Sequence, residues 1–352
     1  MQVRIAVSGF GNVGQGMATL VRDHAADYRR LYGLDLSLVG VADRGGAVAS
    51  AGGLDPGALL RAKATHGTVA ASTGGVTELA GERFLDLAAA DVLVEAASTN
   101  YVDGEPGWGY VRAAMDRAMH AVLASKGALA LYWRELMARA AKCGVEVRYG
   151  ATIGAPLPSL EIARRGLVGV DILGFDGILN ATSHQVLSTM AEGKSYDEGI
   201  REAQAIGIAE ADPTLDVDGW DAAAKATIVA NAVLGSQLTI HDVRREGIRG
   251  VTTAEIREAQ TSGQTIKLVA SARRVADAVQ AEVRPERRGM RDALGRLRGD
   301  DMGIVFLTEP LGRVSTAVES AGAGGGISTA LAVLRDIVNL GRDGYLGPRD
   351  QE

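Results

Sequence analysis

The sequence predicts a two-domain α/β protein whose N-terminal half is a doubly wound parallel sheet and whose second half is α+β. The chain has 352 residues, a length that suits two domains. Its first half alternates short apolar runs with helical segments, a rhythm that implies βαβ units. After Tyr149 the rhythm changes, and the remaining segments fit a second, α+β domain.

The N-terminal domain, placed at residues 1–150, is predicted from runs rich in Val and Leu with little polar alternation. Such runs mark strands that are covered on both faces of a parallel sheet. We expect these strands at Val3–Ser8, Leu36–Ala42, Val92–Glu95, Ala121–Ala124 and Val145–Tyr149. Helical segments are expected at Val13–Arg30, Gly107–Met119 and Arg134–Lys142.

The second domain, placed at residues 151–320, is predicted from a mixture of helical segments and strands. Its helices are predicted at Leu160–Arg165 and over most of Tyr196–Leu234. Its strands are predicted at Ile172–Leu179, Thr265–Ala272, Ala278–Val283 and Ile304–Thr308. The segment 321–352 contains a last helix, Thr329–Leu340, which we expect to return towards the N-terminal domain.

Composition excludes several classes of function. A net charge of −6 disfavours a nucleic-acid partner, which requires a basic face. The single cysteine, Cys143, allows neither an intramolecular disulfide nor a metal cluster. No apolar run approaches the ~20 residues that span a membrane, and the chain enters a strand at once, without a signal peptide. We therefore expect a soluble, cytoplasmic protein.

The first predicted strand leads directly into a glycine-rich turn, Gly9-Phe10-Gly11-Asn12-Val13-Gly14. Between a strand and a helix, this GxGxxG pattern is the fingerprint of a Rossmann-type dinucleotide site. Gly9 allows the tight turn, Gly11 lets the backbone approach the pyrophosphate, and Gly14 lets helix and strand pack closely. The helix N-terminus then suits the phosphates.

The choice between NAD and NADP stays open. Asp43 ends the second strand, where an acidic residue binds the ribose hydroxyls, but the adjacent Arg44 suits a 2′-phosphate. Lys63 is a further candidate for that phosphate, with a solvated surface charge as the alternative.

A second cluster of candidates lies between Ala203 and Lys225. Gly207 and Pro213 interrupt helix continuity, so Glu210–Gly219 is expected to be a loop. Asp221 and Lys225 are four residues apart in the helix that follows and therefore share one face. A carboxylate-rich loop beside this lysine suits an ammonium-bearing substrate and proton transfer. The alternative is a surface loop whose acids cap and solubilise the helix.

This segment resembles, over its whole length, the signature of homoserine dehydrogenases, with every fixed position of that pattern present. The resemblance extends to Gly9–Gly14, Ala124–Lys126, Gly177–Thr182, and Ala323–Gly325 with Thr329–Ala330. Essentially the full chain is covered, and the short archaeal-type members, which lack a C-terminal regulatory domain, are the most similar.

The resemblance implies a role for each matching residue. Glu210 is expected to bind the substrate amino group, with Asp216 and Thr182 in the same polar pocket. Lys126 and Lys225 are expected to converge on one substrate oxygen, where one shuttles the hydroxyl proton. Asp221 is expected to place that hydroxyl or hold Lys225, and Ser98 and Thr99 to lie near the nicotinamide. A lysine needs burial or a nearby cation to lower its pKa from ~10.4 and act as a base at neutral pH.

Two positions depart from the family pattern. Gly150 replaces a glutamate that helps bind a monovalent cation, which leaves only backbone groups, at Ile153 and Ala155, to coordinate one. Ser183-His184-Gln185 replaces a Thr-Asn-Tyr segment near the expected pocket. His184 is therefore either a changed substrate contact or a partly exposed histidine without a role.

The function implied by the resemblance is the interconversion of L-homoserine and L-aspartate 4-semialdehyde with NAD or NADP, in amino-acid biosynthesis. One alternative is a related dehydrogenase for another small hydroxy or oxo amino acid, favoured by Gly150 and His184. Another is a non-catalytic NAD(P) sensor, which has no need of Lys126, Asp221 and Lys225. The resemblance also implies a homodimer formed through the sheet of the second domain.

Overall fold

The computed structural model describes residues 1–320 and 325–347, and the chain divides into two compact units. Unit 1 comprises Met1–Thr152 together with Gly326–Glu352, and unit 2 comprises Ile153–Gly325. The chain therefore leaves unit 1 after its first 152 residues, forms unit 2, and returns.

Unit 1 is built on a six-stranded sheet with the order β3-β2-β1-β4-β5-β6. Its strands are β1 (Gln2–Ser8), β2 (Asp35–Asp43), β3 (Gly46–Ala49), β4 (Val92–Glu95), β5 (His120–Leu123) and β6 (Val147–Arg148). All neighbours are parallel except β2 and β3, which form an antiparallel pair at one edge. The central position of β1 confirms the doubly wound fold, in which ligands bind beyond the carboxyl ends of the strands.

The helices of unit 1 follow its strands. They are α1 (Asn12–Tyr32), α2 (Pro56–His66), α3 (Gly81–Ala88), α4 (Gly107–Asp116) and α5 (Gly127–Cys143). The chain ends α1 at Gly33, which takes a left-handed conformation with φ 70°. Beneath α3 and α4, a core of apolar side chains covers the sheet; it includes Val39, Phe84, Leu85, Leu93 and Ala114.

Unit 2 contains a six-stranded sheet with the order β12-β11-β7-β9-β10-β8. Its strands are β7 (Asp171–Ile178), β8 (Arg244–Arg245), β9 (Gln264–Val275), β10 (Ala278–Gly289), β11 (Met302–Glu309) and β12 (Gly312–Val318). Its pairings are antiparallel except that between β8 and β10. The α+β expectation is thus confirmed.

The helices of unit 2 contact this sheet mainly at β7, β9 and β10. They are α6 (Ser159–Glu161, continued by a π-helical turn at Ile162–Gly166), α7 (Ala181–Ala191), α8 (Tyr196–Ala205), α9 (Thr214–Val217), α10 (Trp220–Leu234) and α11 (Thr253–Thr261). Most residues of α10 are buried, and apart from Lys225, Thr227 and Asn231 these buried residues are apolar.

Several sequence expectations need correction. The loop expected at Glu210–Gly219 contains the one-turn helix α9. The helix expected at Arg134–Lys142 already begins at Gly127. Strand β7 ends at Ile178. The residues that follow it cap and begin α7, a helix that the sequence pattern did not predict. Strands β3 and β12 and helices α2 and α3 were also missed.

The last helix, α12 (Gly325–Arg342), packs against α1 from Gly326 onwards. A Cβ added at Gly16 would lie 3.0 Å from Gly326 O and 3.2 Å from the Ala330 methyl group, so small residues allow this close approach. Ala323 and Gly324 of the expected glycine turn lie outside the described residues. Among the helices that the structure describes, none is both long and apolar enough to cross a membrane.

Candidate functional site

The turn between β1 and α1 is shaped by main-chain crowding at Gly9. This residue has φ 99°, and a Cβ there would lie 2.4 Å from the carbonyl carbon of Ala96. Its N–H donates to Ala42 O at 2.9 Å and ties the turn to β2. Gly11, by contrast, is exposed, and its Cβ would meet no heavy atom of the described residues within 4 Å. Gly9 is therefore required by packing, whereas Gly11 presents open backbone to a ligand.

The start of α1 suits a phosphate group. A Cβ at Gly14 would lie 2.4 Å from Gly9 O, so this glycine brings the helix against the turn. Phe10 anchors the turn with a side chain that is 1% exposed. Within the described residues, no side chain caps the helix at Gly11. The N–H groups of Asn12 and Val13 thus stand at the positive end of the helix dipole, and the turn fits a dinucleotide pyrophosphate.

Asp43 has both carboxylate oxygens occupied by protein donors. Oδ1 accepts from Gly45 N at 2.9 Å and from Thr68 Oγ1 at 2.8 Å. Oδ2 accepts from Lys63 Nζ at 2.7 Å and from Val69 N at 3.1 Å. Burial acts to raise the pKa of Asp43, but its donors outweigh burial and hold that pKa below its ordinary value. Ribose hydroxyls would have to compete with these donors, while the neighbouring Arg44 is exposed.

Glu95, at the end of β4, is a buried carboxyl group that the sequence analysis did not single out. Its side chain is 0% exposed, and burial raises its pKa to about 7. Oε1 accepts from Ala97 N at 2.9 Å, and Oε2 accepts from the Ser125 hydroxyl. The carboxyl group thereby joins the loop after β4 to the loop after β5. An acidic residue that ends an apolar strand was the available signal.

The same two loops carry three of the predicted site residues. Lys126 N donates to Thr99 Oγ1 at 3.3 Å, so the structure brings Thr99 and Lys126 together in unit 1. Ser98, between Ala97 and Thr99, is exposed. These residues lie beyond the carboxyl ends of β4 and β5, the edge of a doubly wound sheet at which ligands bind.

In unit 2, Lys225 is held by two oxygen atoms. Its ammonium group donates to Leu179 O at 2.6 Å and pairs with Asp221 Oδ2 at 2.7 Å. The expectation that Asp221 and Lys225 share one face of a helix is confirmed. The Lys225 side chain is only 9% exposed, so this ion pair differs from a solvated surface pair.

Asn180 connects this ion pair to Asp216. Its Nδ2 donates to Asp216 Oδ1 at 2.7 Å and to Asp221 Oδ2 at 2.8 Å. Burial, and then the charge of Asp221, raise the pKa of Asp216 above its ordinary value, although Asn180, Lys225 and Thr182 oppose them. The structure therefore gathers Thr182, Asp216, Asp221 and Lys225, and it adds Asn180, which the sequence analysis missed as a site residue.

Glu210 is placed differently from these residues. It is exposed, and among the hydrogen bonds of the described residues none joins its carboxylate to the cluster. Its main-chain oxygen accepts from Gln204 Nε2 at 3.1 Å, while Ile208 O, two residues earlier, accepts from the Thr182 hydroxyl at 3.0 Å. The loop that carries Glu210 is thus tied to the start of α7.

His184 is fully buried, so the expectation of a partly exposed histidine is wrong. Its Nδ1 lies 2.8 Å from Asp301 O and its Nε2 lies 2.7 Å from Lys267 Nζ. Burial, followed by the charge of Lys267, holds the pKa of His184 well below its ordinary value. A neutral ring that donates from Nδ1 and accepts at Nε2 satisfies both partners. These protein partners do not favour a direct substrate contact.

The residues around Gly150 are those expected to bind a monovalent cation. Gly150 N donates to the buried Asp336 carboxylate of α12 at 2.7 Å, within unit 1. Ile153, one of the two expected backbone ligands, is 0% exposed, while Ala155 is partly exposed. The described residues contain no group of three or more His, Cys, Asp or Glu that could hold a metal ion. We derive no step through a cation.

The fold and the site, together with the family matches given below, define the class of this protein: it is an NAD(P)-dependent oxidoreductase that acts on a CH–OH group. Family models of homoserine dehydrogenases match both halves of the chain. The model "Homoserine dehydrogenase, NAD binding domain" matches residues 9–150, and the model "Homoserine dehydrogenase" matches residues 158–338. The chain belongs to the homoserine dehydrogenase family.

Individual relatives and solved structures resemble the chain over nearly its full length. An NAD(+)-dependent homoserine dehydrogenase of Pseudomonas canavaninivorans is 36% identical over 341 residues, which cover 96% of each chain. The crystal structure of homoserine dehydrogenase from Thermoplasma acidophilum matches with a TM-score of 0.83 at 27% identity, covering 97% of this chain and 100% of that one. A hyperthermophilic archaeal homoserine dehydrogenase in complex with NADPH matches with a TM-score of 0.82 at 26% identity, covering 97% and 98%.

Proposed function

We propose that the protein interconverts L-homoserine and L-aspartate 4-semialdehyde. The observation that carries this proposal is the buried Lys225 ammonium group, held by Asp221 and Leu179 O beside the carboxylate of Asp216. This arrangement offers a proton donor and negative charge together. A substrate that carries both an oxygen atom to be protonated and an ammonium group suits it.

The roles of the chain's residues follow from this arrangement. The nicotinamide, when bound, supplies the hydride chemistry. Lys225 exchanges a proton with the substrate oxygen: in the reductive direction its ammonium group donates a proton, and in the oxidative direction its amine accepts one. Lys126 is the second proposed active-site lysine. Asp221 fixes Lys225 at 2.7 Å, which keeps its ammonium group in one orientation.

Substrate binding is assigned to residues of unit 2. Asp216 and Glu210 attract the substrate amino group by charge, and Thr182 lies at the start of α7 beside them. His184 supports this region from inside the fold through Asp301 O and Lys267. In unit 1, the turn Gly9–Gly14 holds the pyrophosphate, and Ser98 and Thr99 adjoin the nicotinamide.

The test compares Lys126→Ala and Lys225→Ala with the wild-type protein in a steady-state assay of homoserine oxidation with NAD⁺ and with NADP⁺. Each substitution is expected to lower kcat by about a hundredfold or more, because proton transfer loses its donor and acceptor. Lys142→Ala is the matched control, since Lys142 is exposed near the end of α5, the helix that Lys126 precedes. Normal turnover in both active-site variants would remove the proposed mechanism.

The same assay identifies the substrate class. Homoserine is compared with other small hydroxy amino acids at equal concentrations, because specificity depends on the ratio of kcat/KM values. We expect homoserine to have the highest value. A higher value for another hydroxy amino acid would assign the protein to a different reaction on the same scaffold.

We also propose that the protein is a cytoplasmic homodimer. The sheet of unit 2 exposes apolar side chains, with Leu173 of β7 at 43% and Val275 of β9 at 47%. Exposed apolar side chains on a sheet are suited to an interface between copies. Light scattering at several concentrations is expected to give twice the mass of one chain, and a single-chain mass at all concentrations would contradict the dimer.

A further inference from the structure

The side-chain amide of Asn180 forms three hydrogen bonds, one through its oxygen and two through its nitrogen. Its Oδ1 accepts from Ser183 N at 2.8 Å and so caps the first turn of α7. Its two N–H groups point to Asp216 Oδ1 and Asp221 Oδ2, at 2.7 and 2.8 Å. This set of partners fixes the orientation of the amide, because an oxygen facing the carboxylates would leave three acceptors together.

The position of Asn180 explains why its amide matters electrostatically. Asp216 lies on α9, and the charged groups that face it are Asp221 and Lys225 of α10; from the start of α7 it is faced by the uncharged Asn180 and Thr182. Asn180 is 5% exposed, so its N–H groups stabilise the two carboxylates by hydrogen bonds where water has little access. Without them, two negative charges would share one ammonium group.

The residue before Asn180 contributes to the same arrangement. Leu179 O accepts from Lys225 Nζ at 2.6 Å, so the short segment after β7 contacts both members of the ion pair. Its main-chain oxygen fixes the lysine, and the next side chain fixes the aspartate. A rigid cap at the start of α7 thereby sets the position of the whole cluster.

We infer that Asn180 is a positioning residue for the reaction: its amide holds Asp216 and Asp221 together and so orients Lys225. This inference rests on the proposed function for its kinetic consequence. The hydrogen bonds that carry it are independent of the substrate.

The experiment separates this role from the helix cap. Asn180→Ser retains a good cap, because serine is favoured at this position, but it cannot reach both carboxylates. Asn180→Asp also retains the cap and replaces the two donors with a third negative charge. Asn231→Ala is the matched control: Asn231 is equally buried in unit 2, and its amide bonds to Leu238 and Ser236.

For Asn180→Ser we expect kcat for homoserine to fall about thirtyfold, with the KM for the dinucleotide unchanged. The acid limb of the pH profile of kcat/KM is expected to move to higher pH, because Asp216 loses a donor to its anionic form. Asn180→Asp is expected to lose more, and Asn231→Ala to lose stability without a shift of the acid limb. An Asn180→Ser variant with wild-type kcat and an unmoved acid limb would overturn the inference.

A stability measurement keeps the inference testable if the wild-type protein does not oxidise homoserine, a result that would reject the proposed function. A raised pKa makes the folded chain hold a proton that the unfolded chain has released, so stability falls as pH rises through that range. Loss of the Asn180 donors raises the pKa of Asp216 further in Asn180→Ser, so the stability of this variant relative to wild type is expected to decline as pH rises through the titration of Asp216. A difference that stays constant with pH would contradict the role assigned to Asn180.

Discussion

The two units hold their buried charges in different ways. In unit 1, Asp43 accepts from four donors, including the Lys63 ammonium group, and its pKa lies below the ordinary value. In unit 2, Asp216 lies beside Asp221 and its pKa is raised, while Lys267 is buried against a neutral imidazole and a carbonyl oxygen. We call a buried charged group matched when groups of opposite charge or donors balance it, as at Asp43, and unmatched when they do not. Matched charges stabilise local structure, whereas partly unmatched ones are typical of reacting sites.

Glu95 is the exception in unit 1. It is buried, its pKa is raised to about 7, and it lies beneath the loops that carry Thr99 and Lys126. Glu95 lies at the carboxyl end of β4, where the sheet is suited to bind a ligand. In both units, therefore, the unmatched carboxyl group adjoins predicted active-site residues.

The largest effect is expected from Gly9, where unit 1 depends on its main chain rather than on charges. Gly9→Ala is expected to lower the free energy of unfolding by about 3 kcal/mol, because the methyl group meets the Ala96 main chain in a left-handed conformation. Gly11→Ala is the matched variant and is expected to change stability by less than about 1 kcal/mol. Urea unfolding measures both.

Gly11→Ala, the variant with the smaller expected effect on stability, is expected to affect dinucleotide binding. Gly11→Ala is expected to weaken NAD(P)H binding about tenfold or more, because its methyl group occupies backbone that the pyrophosphate must approach. Fluorescence titration with NADH and NADPH measures this effect. Wild-type affinity in Gly11→Ala would show that the turn does not hold the pyrophosphate.

The next effect concerns Lys267, the unmatched lysine of unit 2. Burial, and then the charge of Arg298, lower its pKa from 10.5 to about 8. Above pH 8 the unfolded chain holds a proton that the folded chain has released, so stability rises with pH up to the unfolded pKa. Relative to Lys267→Met, the wild-type protein should gain about 2 kcal/mol between about pH 8 and about pH 9.5.

The control for this prediction is Lys194→Met. Lys194 is 42% exposed and pairs with Glu202, which together with its other partners raises the pKa of Lys194. Relative to this variant, the wild-type protein should show no gain in stability over the same interval. Equal pH dependence in the two comparisons would mean that Lys267 is charged in the folded protein like any surface lysine.

The smallest effect is expected from Lys63, the matched lysine of unit 1. Lys63→Ala removes one donor from Asp43, which can then accept from the ribose hydroxyls, and it removes a positive charge near a 2′-phosphate. The ratio of kcat/KM for NAD⁺ to that for NADP⁺ is therefore expected to rise about tenfold. Steady-state kinetics with both cofactors measures it.

Arg61→Ala is the matched control for Lys63→Ala, because Arg61 lies on the same helix, α2, and pairs with the exposed Asp55. It should leave the cofactor ratio unchanged. The same ratio in Lys63→Ala and wild type would show that Lys63 and Asp43 serve only the local structure.

The parallel strands of unit 1 were predictable because they are rich in apolar residues; β4 was predicted at its observed bounds, Val92–Glu95, whereas the short antiparallel edge strand β3 was missed. Strand β12 was missed because Gly312–Val318 alternates polar and small residues, as suits an edge strand. Helix α7 was missed because the β-branched residues Thr182 and Val186 favour extended structure, and packing in the folded protein outweighs that preference. Its capping residue, Asn180, was a signal that the sequence did contain.

The candidate site was predictable where its residues lie close together in the sequence. Asp221 and Lys225 lie one helical turn apart, so their pairing followed from periodicity alone. Asn180 contacts carboxylates that lie 36 and 41 residues further along the chain, and no local pattern specifies such a contact. Likewise, only the fold brings Lys63 to Asp43 and Lys267 to His184.

The return of α12 to unit 1 has a consequence for how this chain matures during synthesis. The first 152 residues cannot complete their interior until the segment from Gly326 onwards leaves the ribosome, since Asp336 supplies a buried partner for Gly150 N. The nascent nucleotide-binding unit must wait, partly assembled, while the whole of unit 2 is translated. Bringing together partners that are so distant in sequence slows folding, so this stage is where chaperone assistance would matter most.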